Sequence, residues 1–404
     1  AENGGGVYVS RSACFSILGG SIVQNTAACN RGDSIDRGNG GGVYIADGGC
    51  FVMQSDGMGN TPEICSNRSV RKANSTSSSS FPIQGGNGGG VYIESSGSFT
   101  LNSGIICQNK AQNIVPGTIP GGIGGNGVGV YLSGSDQLQF TMTGGIIGGN
   151  TALSEDGTTV HALGFGGGVY IQGFENKSDA VRFNMSGGTI GAVDGATEGN
   201  KAYDGGGVYM DAGVNSNNGT VTMSNTAKIC GNCAKTNAGG VMIADGTFQM
   251  ENGEISGNQA ESGGGGVMLL RGNFIMKNGQ IKANTVIAGT GGGVCVGVGS
   301  LTDTAISQGI DHVCSFIMSG GEVTGNSANY QQLTGLGQGV FLNKTGAVIL
   351  SGSPVIANNG YTEENGTAKN ADLCLDAGRT ITLGSGGLLE GAKIGVSLFD
   401  ELSV

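Results

Sequence analysis

Carboxylates are the first residues to test for chemistry. Asp47, Glu94, Asp211, Asp245 and Asp376 each follow a short apolar run. Glycoside cleavage needs two carboxyls within about 5 to 9.5 Å of each other. These five sit mostly beside Gly in turn contexts and are spread over distant copies of a repeat, so the sequence reads them as turn residues and assigns no catalytic residue. His161 and His312 have no His-x-His or His-Glu-x-x-His context, which leaves a zinc site or a Ser-His-Asp triad without support. Cys230-Gly-Asn-Cys233 has metal or redox spacing but lacks a second pair, and it overlies a structural corner. No Ca²⁺-binding nonapeptide or EF-hand loop is present. The reading is a protein without metal or cofactor, closer to a binding or structural module than to an enzyme.

The elements that must position these residues are set by a repeat. Gly239-Gly-Val241-Met-Ile243, Phe248-Gln-Met250 and Gly253-Glu-Ile255-Ser-Gly-Asn258 restart 26 residues later as Val267-Met-Leu269, Phe274-Ile-Met276 and Gly279-Gln-Ile281-Lys-Ala-Asn284. The opening valine recurs at 7, 43, 91, 130, 169, 208, 241, 267, 294 and 340, with Leu373 in the last copy, making eleven copies. Period-two alternation over such short runs means strands. Three strands per turn cannot make a core alone, so the copies must stack. The fold class is therefore all-β: a right-handed parallel β-helix (solenoid) of about eleven coils with three short strands per coil. At about 4.8 Å per coil the rod is roughly 50 Å long.

Composition agrees. Of 404 residues 84 are Gly, 5 are Pro and none is Trp, with no third-residue glycine period, which excludes collagen and argues against a low-complexity chain. The net charge of -11 and the lack of a basic cluster argue against nucleic acid as partner. No run approaches the roughly eighteen apolar residues of a membrane helix, so no direct membrane insertion of this segment is expected. Residues 1–404 read as one β-helix domain, with 372–404 as a closing coil. The chain opens at a repeat boundary, Asn3-Gly-Gly-Gly-Val7, as a trimmed or mature chain would, and its first coil has no recognisable cap.

Several side-chain columns follow from stacking. Asn25, Asn67, Asn109, Asn150, Asn200, Asn232, Asn258, Asn284, Asn326 and Asn359 should form a structural ladder at one corner, with Asn200 displaced by an insertion. If the valine and isoleucine of the first strand point inward, Tyr8, Tyr44, Tyr92, Tyr131, Tyr170 and Tyr209 form an outward stripe, either a platform for sugar rings or a stack that covers the sheet. Cys14 stacks on Cys50 and Cys65 on Cys107, within disulfide reach, while Cys295 and Cys314 bracket an insertion they could staple; reduced thiols fit equally. Insertions at about 29–38, 70–86, 112–125, 153–165, 172–180, 211–219 and 297–313 leave the rod as loops and are candidate ligand contacts. Asn-x-Ser/Thr sites such as Asn74 and Asn218 carry little weight in so Asn-rich a chain.

The combination of Gly-Gly-Gly-Val-Tyr-Ile, Phe-x-Met-x-Gly-Gly-x-Ile and Asn-x-Ala resembles the β-helical repeats of bacterial and archaeal adhesin-like surface proteins. It is also similar to the repeats of polymorphic outer-membrane proteins on autotransporter passengers. The resemblance covers nearly the whole chain. It implies an extracellular or cell-surface protein, structural or adhesive, and no particular ligand. The leading expectation is a rigid β-helical spacer whose loops or Tyr stripe contact glycans or surface and matrix proteins. A polysaccharide lyase or glycoside hydrolase of the pectate-lyase-like type is the alternative, and a subunit that assembles end to end with itself into a filament is a third.

Overall fold

The computed structural model describes residues 2–29, 38–72, 86–114, 123–134, 137–152, 164–173, 181–212, 219–298, 314–329, 337–362 and 368–398. Every regular element among them is a β-strand, and none is a helix long and apolar enough to cross a membrane. Three long sheets of 12, 11 and 11 strands run along a parallel β-helix. The first holds the Val-Tyr-Ile segments, from Val7–Val9 to Leu373–Leu375, and ends on Val396–Leu398. The second holds the Phe-x-Met segments from Cys14–Ile17 to Ile381–Leu388, and the third the single-isoleucine segments from Ser21–Val23 to Lys393–Ile394. Like residues pair across coils, as in Val43 with Val91, Phe99 with Phe140 and Ile106 with Ile147.

A fourth short strand follows the Asn corner, which the three-segment pattern does not announce. Thr26–Cys29, Arg68–Lys72 and Lys110–Ile114 form one such sheet, extended by the antiparallel return Ile123–Gly124, and Lys201–Ala202 through Ser327–Ala328 form another. Its inward position is usually alanine, as at Ala27, Ala111, Ala202, Ala234 and Ala260, and alanine carries little strand signal. The column packs tightly under the Gly turn that crosses it: a Cβ on Gly164 would lie 2.7 Å from the Cβ of Ala152.

The inward columns form one continuous core. Valine and isoleucine from the first sheet, phenylalanine and methionine from the second and isoleucine from the third are almost all fully buried. Phe51, Phe99, Phe140 and Phe183 stack with ring centroids 5.3, 5.0 and 4.5 Å apart. Each such side chain contributes about 1.5–3 kcal/mol on leaving water. Glycine closes the corner before the first sheet. Gly40 has φ +66, and a Cβ on its neighbour Gly41 would lie 2.4 Å from the carbonyl oxygen of Gly89 in the next coil, so neither tolerates a side chain.

The asparagine column runs through ten coils as a hydrogen-bonded ladder. In Asn258 the backbone N–H and Nδ2 both donate to Oδ1 of Asn284, each at 3.0 Å, and Nδ2 also donates to the carbonyl of Ile229 at 2.9 Å. The same pattern holds from Asn67 to Asn326. Asn200 keeps its rung despite the preceding insertion, accepting from Asn150 N at 3.1 Å. The last acceptor is a carboxylate: Asp372 Oδ1 receives Asn359 N at 2.7 Å and Nδ2 at 3.2 Å. The residue before the rung is left-handed at most coils, Gly257 at φ +60, Ala283 at +52 and Gly325 at +63 among them.

Asn258→Ala removes the acceptor for two buried donors of Asn232, and should cost about 3 kcal/mol. Because repeats couple mainly to their neighbours, amide exchange should accelerate around coils six to eight; uniform acceleration along the chain, or none, would contradict the ladder. Ala283→Gly relieves a left-handed alanine and should stabilise by about 0.5–1 kcal/mol after the unfolded-state entropy of glycine is set against it. Denaturant titration of that variant checks the sign.

Candidate functional site

The outer face of the first sheet is covered, which corrects the idea of a tyrosine platform for sugars. Tyr8, Tyr44, Tyr92, Tyr131, Tyr170 and Tyr209 stack continuously with centroids 5.1–5.3 Å apart and planes within 8°. Yet Tyr131 is 1% exposed and Tyr92 8%, while only Tyr8 is open, at 57%. Burial raises the phenols of Tyr131 and Tyr170 well above their usual value, and Tyr131 donates its hydroxyl to Gln172 Oε1. Phe165 tilts onto Tyr209, and the column continues as a second buried cluster of Met242, Met268, Cys295, Phe341 and Cys374. From Tyr44 to Tyr170 the buried rings have no face left for a ligand.

The acidic residues fall into two groups. Asp47 pairs with Arg11 at 3.0 Å and accepts the Ser96 N–H, Glu94 accepts the Asp47 N–H, and Asp376 accepts the N–H of Ala377 at 2.7 Å, so these three organise turns. Asp211 and Asp245, by contrast, are register partners on adjacent coils, next to a bulge between Met210 and Asp211. The expectation that the acids lie on distant coils fails for Asp47 with Glu94 and for Asp211 with Asp245, because each pair belongs to successive coils; in the second pair one extra residue in Val241–Asp245 brings its aspartate level with Asp211. Burial raises the Asp245 carboxyl, Arg271 at 3.5 Å opposes the rise and Asp211 adds to it.

Cysteines that look alike in sequence differ in the structure. Cys65 and Cys107 are joined, with Cα atoms 4.6 Å apart. Cys14 and Cys50 are free thiols in hydrogen-bond contact, and Cys295 and Cys314 are free as well. Cys295 belongs to the cluster outside the first sheet and Cys314 to the inner core, so the two cannot staple the insertion between them. Burial pushes their thiols up to about 11 and about 12 respectively. Cys230 and Cys233 flank the buried Asn232 on different sheets, and burial raises both thiols. Among the described residues no group of three His, Cys, Asp or Glu could hold a metal ion.

Open concave surface lies instead at the corners. One groove of about 480 Å³ runs across coils six to ten between the second and third sheets, past Asn225, Asn252 and Asn278 and the outward column Lys228, Glu254, Gln280 and Glu322. Burial pushes Glu254 up, but hydrogen bonds from Ser256 and Lys282 outweigh it and hold the carboxyl below its ordinary value. Two further hollows of about 510 Å³ each meet at Gln108 and Gly149 on the asparagine corner of coils two to five. Neither region was a candidate from sequence. A legible signal existed in the outward residue of each third strand, which is polar from Lys228 to Glu322, and in Gly148-Gly149 where the preceding coil has Cys107-Gln108.

A second amide series was also legible, four positions before the opening valine. Asn3, Asn39, Asn87 and Asn126 each accept an N–H from the following coil, opposite in sense to the main ladder, and Asp204 accepts Asn237 N in the same way. His161, His312, Asn74, Asn218 and most of the insertions lie outside the described residues.

No protein-family model, curated protein or solved structure matches this chain. Alkylation of the unfolded, unreduced protein should modify eight of its ten cysteines, rising to ten after reduction. Six modified cysteines would mean that a second pair is also bridged, and ten that Cys65 and Cys107 are reduced.

Proposed function

We propose that this chain is a non-enzymatic extracellular surface module, a rigid β-helical scaffold of the adhesin-like kind whose corner grooves contact glycans. The observation that carries the reading is the division of labour among its columns. Apolar, aromatic and asparagine side chains are used up inside the wall and beneath its outer cover, whereas the long grooves display Asn, Gln, Lys and Glu coil after coil. A shallow polar groove along a rod suits an extended, hydroxyl-rich polymer, which amides and carboxylates can bind through hydrogen bonds. The Cys65–Cys107 bridge supports an oxidising compartment.

Asp211 and Asp245 favour a second reading, a polysaccharide lyase or hydrolase. Neighbouring strands about 4.8 Å apart place these two aspartates side by side, and burial moves the Asp245 carboxyl in the direction a general acid requires. Arg271 at 3.5 Å would steady the charge of the pair.

Incubation with a panel of polysaccharides, scoring both retention and released oligosaccharide, separates the readings. Retention without products is expected. Paired Asn252→Ala and Asn278→Ala substitutions at exposed groove positions should weaken retention by about tenfold, roughly the worth of one or two hydrogen bonds. Product release that disappears in Asp245→Asn would replace the adhesive reading with the enzymatic one, and failure to retain any polymer would remove glycan contact from it.

A further inference from the structure

Asn followed by Gly is the pair in which a side-chain amide is open to attack by its own backbone, and seven such pairs lie wholly among the described residues. They divide by structure. Asn3, Asn39, Asn87 and Asn126 each hold an N–H of the next coil on the side-chain oxygen, at 2.9–3.0 Å. The glycines that follow them, Gly4, Gly40, Gly88 and Gly127, donate their own N–H groups to carbonyls of the next coil. Asn359 is a rung of the main ladder: its nitrogen donates to Asp372 and to the carbonyl of Val323, and its oxygen accepts from Asn326. In these five pairs the side-chain amide is fixed in other bonds, and in four of them the glycine nitrogen is fixed too.

Asn252-Gly253 and Asn278-Gly279 are different. Both asparagines are exposed. Among the described residues neither side-chain amide makes a hydrogen bond, and neither Gly253 nor Gly279 donates its N–H. The two pairs follow one another on adjacent coils along the groove between the second and third sheets, three places before Ile255 and Ile281. Packing requires the glycines: Gly253 has φ +112 and Gly279 φ +96, and a Cβ would lie 2.8 Å from Met223 Cε in the first and 2.6 Å from Met250 Cε in the second. The rod does not require the asparagines, because the same corner position is Gly144, Gly187 and Gly320 in coils four, five and nine.

We propose that Asn252 and Asn278 are self-modifying sites, at which the groove converts its own amides to carboxylates with water as the only co-reactant. The nitrogen of Gly253 or Gly279 loses its proton and attacks Cγ of the preceding asparagine. A five-membered imide closes as the new N–Cγ bond forms, the Cγ–Nδ2 bond breaks and ammonia leaves with the proton. Water then adds to one of the two imide carbonyls and breaks its bond to the shared nitrogen. Opening at Cγ gives aspartate; opening at the backbone carbonyl gives isoaspartate. Glycine favours closure because no Cβ stands beside the attacking nitrogen. Each event replaces an amide that donates two hydrogens by a carboxylate that only accepts, in a groove already lined by Glu254 and Glu322. The binding chemistry of the groove therefore changes with the age of the chain. That consequence rests on the glycan-contact reading; the modification itself does not.

Peptide mapping by mass spectrometry of the whole folded chain, sampled over weeks at neutral pH, tests this. Peptides holding Asn252 and Asn278 should gain the mass difference of amide to acid at least about tenfold faster than those holding Asn39, Asn87, Asn126 and Asn359, which react only after local opening. Both should resolve into aspartyl and isoaspartyl forms, and the rate should rise with pH because the attacking nitrogen must first lose its proton. In denaturant all six should convert at similar rates. Asn278→Gln keeps the amide but needs a larger ring, so that site should stay unmodified while Asn252 continues to react. Equal rates at all six sites in the folded chain, or no conversion at Asn252 and Asn278 while the denatured control reacts, would overturn the proposal. A chain that retains no polysaccharide refutes the glycan reading alone, since the mass readout needs no ligand.

Discussion

Each buried asparagine amide in this rod must find its hydrogen-bond partners in the neighbouring coils, and that requirement fixes the rest. A primary amide has two donors and an oxygen that accepts twice. Asn232 meets all four: its oxygen takes both donors of Asn200, and its nitrogen gives one hydrogen to Asn258 and one to the carbonyl of Ile190. Satisfying these bonds is possible only if every corner lies directly over the last, which puts valine over valine, phenylalanine over phenylalanine and isoleucine over isoleucine in the three long sheets. A slip of one residue would turn each apolar column outward, so the polar ladder and the apolar core enforce the same register. Coil five shows the strength of this constraint, since its insertion is expelled as a turn while Asn200 returns to its rung.

The wall has two dry faces. Inside are the aliphatic and phenylalanine columns; outside the first sheet the tyrosine stack passes into Met242, Met268, Cys295 and Phe341 under a cover. A β-helix with one sheet buried on both sides over most of its length leaves recognition to the corners between sheets. There the side chains change from coil to coil without disturbing the ladder beneath. Lys228, Glu254, Gln280 and Glu322 occupy equivalent sites with different charge, and Gly149 opens a notch where Gln108 would close one. Stability and surface chemistry are thus carried by different columns of the same repeat.

Much of this was written in the repeat. Its 26-residue minimum, the apolar spacings and the Asn three places after each third-strand isoleucine were enough to derive a parallel β-helix, its coil count, the asparagine ladder and the stacking of the tyrosines, because a one-dimensional array places like residues over like by symmetry. The fourth strand escaped since its alanines, though they recur two places after the ladder Asn, carry little strand propensity. Tertiary structure alone decided which surfaces remain open and which equivalent residues differ. Tyr131 is closed in by Tyr92, Tyr170 and Gln172 of the neighbouring coils, the meeting of Asp211 with Asp245 depends on a one-residue bulge, and Cys295 and Cys314 are parted by the faces their strands present. Spacing along a chain encodes what a coil shares with its neighbours; exposure, side-chain direction and groove shape arise from how coils differ, and those differences act only once the coils are stacked.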